Sequence, residues 1–194
     1  MAFEKNYNDP ELEAKLKDTC YYTSDANPDF LKEVERISRT PAHLCFQCGT
    51  CTGGCPSAPR SSFRIRLFMR KATLGLEAEA VLDPDLWLCT TCYSCTDRCP
   101  RDLAPTDVIM AMRNICFIKY DTAPRNFMKS VQAMYAYGHV VPNNATNMAA
   151  RVKLGLPEQP PTVHAYPEFI AGIQSILDHY GMKEKADRLL SEVE

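Results

Sequence analysis

The chain has 194 residues, 45% of them hydrophobic and 24% charged, which is enough apolar surface for a sizeable core and excludes a disordered chain. Lys and Arg total 22 against 24 Asp and Glu, for a net charge of -2, so the basic excess of a dedicated nucleic-acid-binding protein is absent. No apolar run approaches the roughly 18 residues of a membrane span, and the polar start "MAFEKNYNDPELEAKLKD" offers no signal peptide. These features predict a cytoplasmic protein.

Helix signals recur along the whole chain, whereas strand signals are scarce, because there is no sustained period-2 alternation and no hairpin signature. The first helix is predicted over "NPDFLKEVERIS", with Asn27 as N-cap and Pro28 at the first helical position. A second is predicted over "PRSSFRIRLFMRKATLG", closing on Gly75. A third is predicted over "APTDVIMAMRNICFIKY", with Pro105 near its start. The face of the third helix that should be buried comprises Val108, Met112, Ile115 and Cys116.

The last third of the chain is also predicted to be helical, with one break. Four prolines in "LGLPEQPPTVHAYPEF" indicate an extended connection. The segment after about residue 121 either completes the core or forms a docking arm, and this connection and the apolar segment "VQAMYAYGHVV" would suit contact with partner proteins. Helices are predicted at 124–137, 143–154, 167–180 and 182–193.

Eight of the ten cysteines lie in two runs with identical spacing. The first run, "CFQCGTCTGGCP", starts at Cys45, and the second, "CTTCYSCTDRCP", starts 44 residues later at Cys89. A helix with a proline near its start is predicted after each run, so the chain contains a pseudo-symmetric pair of loop-plus-helix units. Because clustered cysteines in a reducing compartment more often bind metal than form disulfides, we interpret the eight as metal ligands.

The spacing C-x2-C-x2-C-x3-C-P is typical of bacterial-type [4Fe–4S] ligation, in which the fourth cysteine ligates the other cluster. Three cysteines at this spacing can wrap three corners of a cubane, and the Cys-Pro end turns the fourth away. The predicted ligands of one cluster are Cys45, Cys48, Cys51 and Cys99. Those of the other are Cys89, Cys92, Cys95 and Cys55.

Structural zinc is the alternative, since eight cysteines could form two four-cysteine sites. Zinc sites usually pair two C-x2-C knuckles, however, and have no use for a third cysteine at the same spacing. The residues between the runs read mainly as helix and turn, so we predict an all-α fold, an α-helical ferredoxin with two [4Fe–4S] clusters and flanking helices. The predicted divisions are an N-terminal helical extension over 1–39, the ferredoxin domain over 40–120, and C-terminal helices, suited to partner docking, over 121–194.

Basic residues crowd the cysteine runs and are expected to offset the negative charge of the iron–sulfur–thiolate units, or else to form a solvated helix face. Trp87 is expected to shield a cluster from water, and the isolated Cys20 and Cys116 to be inert thiols. No catalytic residue is predicted. The basic residues are Arg60, Arg64, Arg66, Arg70, Lys71, Arg98 and Arg101.

Beyond its cysteines, the segment from "CFQCGTCTGGCP" to "CTTCYSCTDRCP" resembles the C subunit of the methanogen-type heterodisulfide reductase. The Arg-rich helix, the "ATLG" turn and "DLWLCTTC" carry the resemblance, which covers about residues 40–120. It implies an electron-relay subunit of the soluble complex in methanogenesis. Electrons would pass from a flavin-containing iron–sulfur A subunit to a B subunit that reduces the coenzyme M–coenzyme B heterodisulfide. A hydrogenase or formate dehydrogenase would be the upstream donor.

The resemblance also implies where the chemistry lies. The B subunit's centres depend on Cys-Cys-Gly motifs, and this sequence contains none, so the chain is expected to carry electrons without holding the catalytic site. Two alternatives stay open, because helical dicluster domains occur elsewhere. The chain could be the relay subunit of another anaerobic dehydrogenase, of the glycolate or glycerol-phosphate type, or a structural or redox-sensing cluster protein.

Overall fold

The computed structural model describes residues 23–141, 144–163 and 166–191. Within these residues the protein has ten α-helices and no strand, which confirms the predicted all-α class. None of these helices is both long and apolar enough to cross a membrane. The α-helices are α1 (Pro28–Ser38), α2 (Thr50–Gly53), α3 (Ile65–Thr73), α4 (Glu77–Val81), α5 (Ser94–Asp97), α6 (Pro105–Tyr120), α7 (Arg125–Tyr137), α8 (Ala145–Lys153), α9 (Ile170–His179) and α10 (Met182–Ser191).

Short 3-10 helices connect several of these elements, and the chain folds as two compact units. One unit ends at Thr122 and the other begins at Ala123. The three-part division of the chain stays a prediction, and Cys20 lies outside the described residues. The 3-10 helices are Thr23–Asp25, Ala42–Leu44, Ala58–Arg60, Pro84–Leu88 and Pro167–Phe169.

Helix α1 forms where the sequence predicts it and belongs to the core of the first unit. The Asn27 side chain accepts a hydrogen bond from the Asp29 backbone N–H at 3.0 Å and so caps the helix. Phe30 and Val34, one turn apart, are completely buried where α1 packs against α6. Burial of such a side chain contributes roughly 1.5–3 kcal/mol. The Asn27 N–H also donates to the Gly75 carbonyl at 2.7 Å, which ties the start of α1 to the turn after α3.

Helix α6 is the centre of the first unit. Helices α1, α3 and α4 all pack against it. The predicted buried face is confirmed, and Ile109, Ala111 and Arg113 are buried as well, so α6 is covered on more than one side. The residues of the predicted face, each at most 1% exposed, are Val108, Met112, Ile115 and Cys116.

The prediction for the second helix places its start too early. Its first six residues, 59–64, form the end of a 3-10 helix and a bend, and α3 begins only at Ile65. The Arg64 guanidinium stabilises the bend by donating to the carbonyls of Ala58, Ser61 and Phe63 at 2.7–2.8 Å. The C-terminal prediction holds better, since Gly75 has a left-handed φ of 73° just beyond the helix. Helix α4, which follows it, was not predicted.

The second unit consists of helices α7 to α10. All four were predicted, with starts displaced by up to three residues; the 3-10 helix Pro167–Phe169 precedes α9. The connection over 154–163 contains no helix or strand, as the prolines predict. Helices α9 and α10 pack against α7. The buried apolar residues on these three helices are Met128, Leu177, Ala186 and Leu189.

Candidate iron–sulfur site

The repeat in the sequence is also a repeat in the backbone. Gln47 and Thr91, 44 residues apart, both have left-handed φ angles, of 61° and 51°. Gly49 and Tyr93 do as well, at 85° and 61°. A one-turn helix then follows in each loop, α2 in the first and α5 in the second. Left-handed backbone is costly for residues other than glycine, so its occurrence at matching positions indicates that both loops are shaped for the same purpose.

Three cysteines of the first loop meet the last cysteine of the second. Cys45, Cys48, Cys51 and Cys99 line one cavity, together with the apolar side chains of Met69 and Leu103. We call these four cysteines the first set. Cys55, the last cysteine of the first loop, is not among the residues that line this cavity, so the fourth cysteine comes from the other half of the repeat.

The second set is the reciprocal arrangement. The Cys89 thiol has the thiols of Cys95 and Cys55 as electrostatic neighbours; Cys95 is from its own loop and Cys55 is the last cysteine of the first loop. Cys92, from the same loop as Cys89, is exposed and is the fourth cysteine that the spacing predicts for this set. The two loops adjoin each other, because α2 of the first packs against α5 of the second, and the Cys51 and Cys95 thiols interact electrostatically.

The thiols differ in how readily they become thiolates, the form that binds iron. Cys48 and Cys92 lie 3.4 and 3.5 Å from the hydroxyls of Thr50 and Ser94, and these hydrogen bonds lower the pKa of both exposed thiols. Burial instead raises the pKa of Cys51, to about 11. Burial likewise raises the pKa of the Cys89 thiol. Matching thiols in the two loops, Cys48 and Cys92, therefore have matching hydroxyl partners.

The arrangement fits a cluster. In the described part of the chain, no three Cys, His, Asp or Glu side chains converge on a position for a single metal ion. The first set instead surrounds a cavity with thiols and apolar groups. A cubane needs its four thiolates at separate corners, and an all-cysteine donor set is what it binds.

The basic residues near the cysteine runs have different roles. Arg66 and Arg101 are exposed and line the cavity of the first set. The Arg98 guanidinium lies against Gly54, where an added Cβ would come within 2.7 Å of it. Lys71 does not serve the clusters as expected: it is buried and donates to the Asp83 carboxylate at 2.6 Å and to the Glu79 carbonyl at 2.8 Å.

Sequence reasoning missed one cation beside the second set. Arg113 is buried and donates to the Leu86 carbonyl and, at 2.7 Å, to the Cys89 carbonyl. Its guanidinium carbon lies 5.3 Å from the centre of the Trp87 ring. Burial lowers the pKa of Arg113, and the Cys89 thiol raises it; an arginine stays protonated throughout. The available signal was a single charge inside the apolar stretch "VIMAMRNICFI".

The remaining singled-out residues are placed as follows. Cys116 is completely buried, as predicted, and burial raises its pKa to about 12, which disfavours the reactive thiolate. Trp87 is partly buried and packs against the hydrophobic core, as Cys89 and Cys99 also do. These residues shape the surroundings of the two sets without joining them.

An all-α fold with two equally spaced cysteine loops, in which the last cysteine of the second loop lines the cavity of the first, defines the class of α-helical ferredoxins with two [4Fe–4S] clusters. The family model of the 4Fe-4S dicluster domain matches residues 41–103, which sets the zinc alternative aside.

Curated relatives narrow the class further. The chain is 39% identical over 174 residues to the iron–sulfur C subunit of the CoB–CoM heterodisulfide reductase of Methanopyrus kandleri, covering 83% of this chain and 88% of the relative. It is 40% identical over 161 residues to the C subunit of the H2:CoB-CoM heterodisulfide, ferredoxin reductase of Methanothermobacter marburgensis, covering 80% and 84%. It is 37% identical over 133 residues to the C subunit of the ferredoxin:CoB-CoM heterodisulfide reductase of Methanosarcina mazei, covering 69% and 81%. The chain belongs to the family of heterodisulfide reductase iron–sulfur C subunits, which confirms the resemblance seen in the sequence.

Proposed function

We propose that this chain relays single electrons inside a cytoplasmic heterodisulfide reductase complex. The electrons pass from the flavin-containing A subunit to the B subunit that reduces the coenzyme M–coenzyme B heterodisulfide. The observation that carries the proposal is the adjacency of the two cysteine loops, whose helices α2 and α5 pack together and whose Cys51 and Cys95 thiols interact electrostatically. The names of the relatives, all C subunits of heterodisulfide reductases, supply the substrate. When bound, the clusters supply one-electron chemistry.

The ligand sets are part of this proposal. Cys45, Cys48, Cys51 and Cys99 hold one cluster as thiolates, and Cys89, Cys92, Cys95 and Cys55 hold the other. The common cavity of the first set and the Cys89–Cys95–Cys55 neighbourhood of the second support the crosswise assignment.

The matched pair Cys55→Ala and Cys99→Ala tests the assignment, because the two residues occupy the same position in the repeat. Iron content and electron paramagnetic resonance (EPR) of the reduced protein are the readouts. We expect Cys55→Ala to disturb the cluster of the second loop and Cys99→Ala that of the first. If each variant affected the cluster of its own loop, the crosswise assignment would be wrong.

The residues around the thiols stabilise the sites and tune them. Met69 and Leu103 cover the cavity of the first set with apolar surface and limit access of water. Arg66 and Arg101 bring positive charge to the same cavity and offset the negative charge that four thiolates place there. Hydrogen bonding and net charge are the means by which a protein sets cluster potentials.

We assign the disulfide chemistry to the B subunit, since the sequence of this chain contains no Cys-Cys-Gly motif. A hydrogenase or a formate dehydrogenase supplies the electrons to the flavin-containing partner. Anaerobic purification of the intact complex tests the relay. About eight irons and eight sulfides per chain, both clusters reduced reversibly by dithionite, and copurifying flavin- and Cys-Cys-Gly-bearing subunits are expected. Clusters whose reduction unfolds the chain, or a chain that purifies alone, would favour a structural or sensing role.

We further propose that the second unit docks another protein of the complex. Helix α8 has no buried residue, although it lies in a folded unit. At its end, Val152, Leu154 and Leu156 are 56%, 76% and 47% exposed. An apolar ridge of this kind is typical of a protein–protein contact.

Substitution at the most exposed of these residues tests the docking proposal without disturbing the fold. Leu154→Glu should reduce the amount of partner protein that copurifies, while the iron content of this chain stays unchanged. The control is Lys153→Glu, which alters charge at the neighbouring exposed position but removes no apolar surface. Copurification that is equal in both variants would contradict the proposal. Deletion of 156–194 is a harsher test, because it also removes the packing of α9 and α10 on α7.

A further inference from the structure

Arg113 is a buried cation at the edge of the second thiol set. It is 6% exposed, and none of the ion pairs among the described residues includes it. Its guanidinium donates to the carbonyls of Leu86 (3.0 Å) and Cys89 (2.7 Å). The two carbonyls and the Trp87 ring, 5.3 Å from the guanidinium carbon, carry only partial charges, so they do not neutralise the guanidinium as a carboxylate would. The Cys89 thiol is the ionisable neighbour of this charge.

The first set has no buried arginine at the position that is equivalent to Arg113 in the repeat. At the offset of 44 residues, the position that corresponds to Arg113 is Met69. Met69 is 1% exposed and lines the cavity of the first set. One half of the repeat therefore has an apolar thioether where the other half has a guanidinium.

The first set has cations of a different kind. Arg66 and Arg101 line its cavity, but both are exposed. Charges in contact with water act through a high dielectric constant and are screened by salt. A buried charge has less water around it and is screened much less by salt. Arg113 is thus the stronger electrostatic influence, and it acts on the second set.

We propose that Arg113 selectively raises the reduction potential of the cluster held by the second set, so that this cluster is the more readily reduced of the two. Reduction adds one electron to a site that is already anionic, and no bond is made or broken. A fixed positive charge favours the more negative, reduced form. This inference rests on the proposed relay function. In that relay, an electron delivered by the flavoprotein partner resides preferentially on the cluster of the second set.

The test is a potentiometric titration of the anaerobically purified complex, followed by EPR. The variant Arg113→Gln keeps an N–H donor for the carbonyls but removes the charge, whereas Arg113→Lys keeps the charge. We expect Arg113→Gln to lower the potential of one couple so that its reduced-to-oxidised ratio at a fixed potential falls about tenfold, or about 59 mV for one electron. Arg113→Lys should restore most of this loss, and the other couple should move much less.

Two control variants show which redox couple belongs to the second set and whether an exposed charge has the same effect as the buried one. Cys92→Ser assigns the second-set signal, whichever set Cys55 belongs to. Arg101→Gln, which removes an exposed charge beside the first set, should leave the second-set couple in place. The proposal is overturned if Arg113→Gln moves both couples equally or moves neither.

A second measurement needs no substitution at Arg113, which guards against failure of Arg113→Gln to bind its cluster; Cys92→Ser again identifies the second-set couple. In the wild-type complex, raising the salt concentration from roughly 0.01 to 1 M screens exposed charges but hardly affects a buried one. The second-set potential should therefore stay constant while the first-set potential falls. Equal salt shifts in both couples overturn the proposal. Failure of the relay itself would look different, because the wild-type complex would then show no reversible couples at all.

Discussion

Removal of the buried cation Lys71 should destabilise the first unit and loosen the approach to the second cysteine loop. The side chain of Lys71 is 4% exposed, that of Asp83 is 17% exposed, and their charged atoms are 2.6 Å apart. In the variant Lys71→Met, Asp83 keeps its negative charge without a cation, and the Glu79 carbonyl loses its donor. Breaking a buried pair in this way costs about 3–5 kcal/mol. For a chain of this size, that corresponds to a fall in Tm of roughly 6–20 °C.

The effect should extend to the iron site. Asp83 also accepts a hydrogen bond from the Asp85 N–H at 2.9 Å and thereby caps the 3-10 helix Pro84–Leu88, which leads directly into Cys89. We therefore expect Lys71→Met to lower occupancy of the second set more than that of the first. Anaerobic thermal scans at a fixed rate, with iron analysis of the purified variants, measure both effects.

Two further variants separate the ion pair from a general loss of charge. In Lys71→Met/Asp83→Asn, the amide oxygen can still cap Asp85 while the unpaired charge is gone, so at least half of the lost Tm should return. Lys32→Met removes an exposed pair with Asp29, whose side chains are 78% and 76% exposed, and should leave Tm unchanged. A Tm for Lys71→Met within about 2 °C of the wild type, less than 1 kcal/mol, would refute the reasoning.

Three other predictions follow from the same structure. Gly75→Ala should destabilise the protein by well over the roughly 1–2 kcal/mol of left-handed strain, because the added Cβ would lie 2.6 Å from the Asn27 carbonyl oxygen. Gly155→Ala, with a φ of 71° but open space, should show the strain alone in the same thermal scans. Burial raises the pKa of Cys116 from 9.0 to about 12, so its contribution to stability is complete below pH 9 and is lost as the pH rises towards 12. The decline of Tm above pH 9 should accordingly be shallower in Cys116→Ala than in the wild type. Removal of the clusters by an oxidant and a chelator should reduce helical circular dichroism, since metal binding and folding are coupled; an unchanged spectrum would mean that the first unit folds without its clusters.

Much of the secondary structure could be predicted because its signals are local. The Asn27–Pro28 start of α1 and the apolar periodicity of α6 depend only on neighbouring residues, and both helices form where expected. The start of α3 could not be predicted in this way. The segment over 59–64 has helix-compatible residues, but Arg64 satisfies three carbonyls of a bend instead. Such competition between a side chain and the backbone is decided by the fold.

At the candidate site, too, local features were predicted from the sequence and features that depend on the fold were not. Cysteine spacing alone predicted two [4Fe–4S] clusters, because the reach of a short loop around a cubane is a matter of local geometry. The distribution of charge around them was predicted less well. Lys71, counted among the charges beside the clusters, is committed to Asp83, and Arg113, which was not considered, is the buried cation next to Cys89.

The sequence by itself determined that this protein is helical, that it carries two cysteine loops related by a shift of 44 residues, and that it belongs with the C subunits of heterodisulfide reductases. Only the tertiary structure decided that Arg113 is buried beside the second cysteine loop, whereas Met69 lines the cavity of the first set. The physical reason is that ligand spacing is encoded within a dozen residues. Burial and dielectric environment, in contrast, arise only when α1, α3 and α4 pack around α6. The same residue type is therefore a screened surface charge at Arg101 and a buried charge at Arg113.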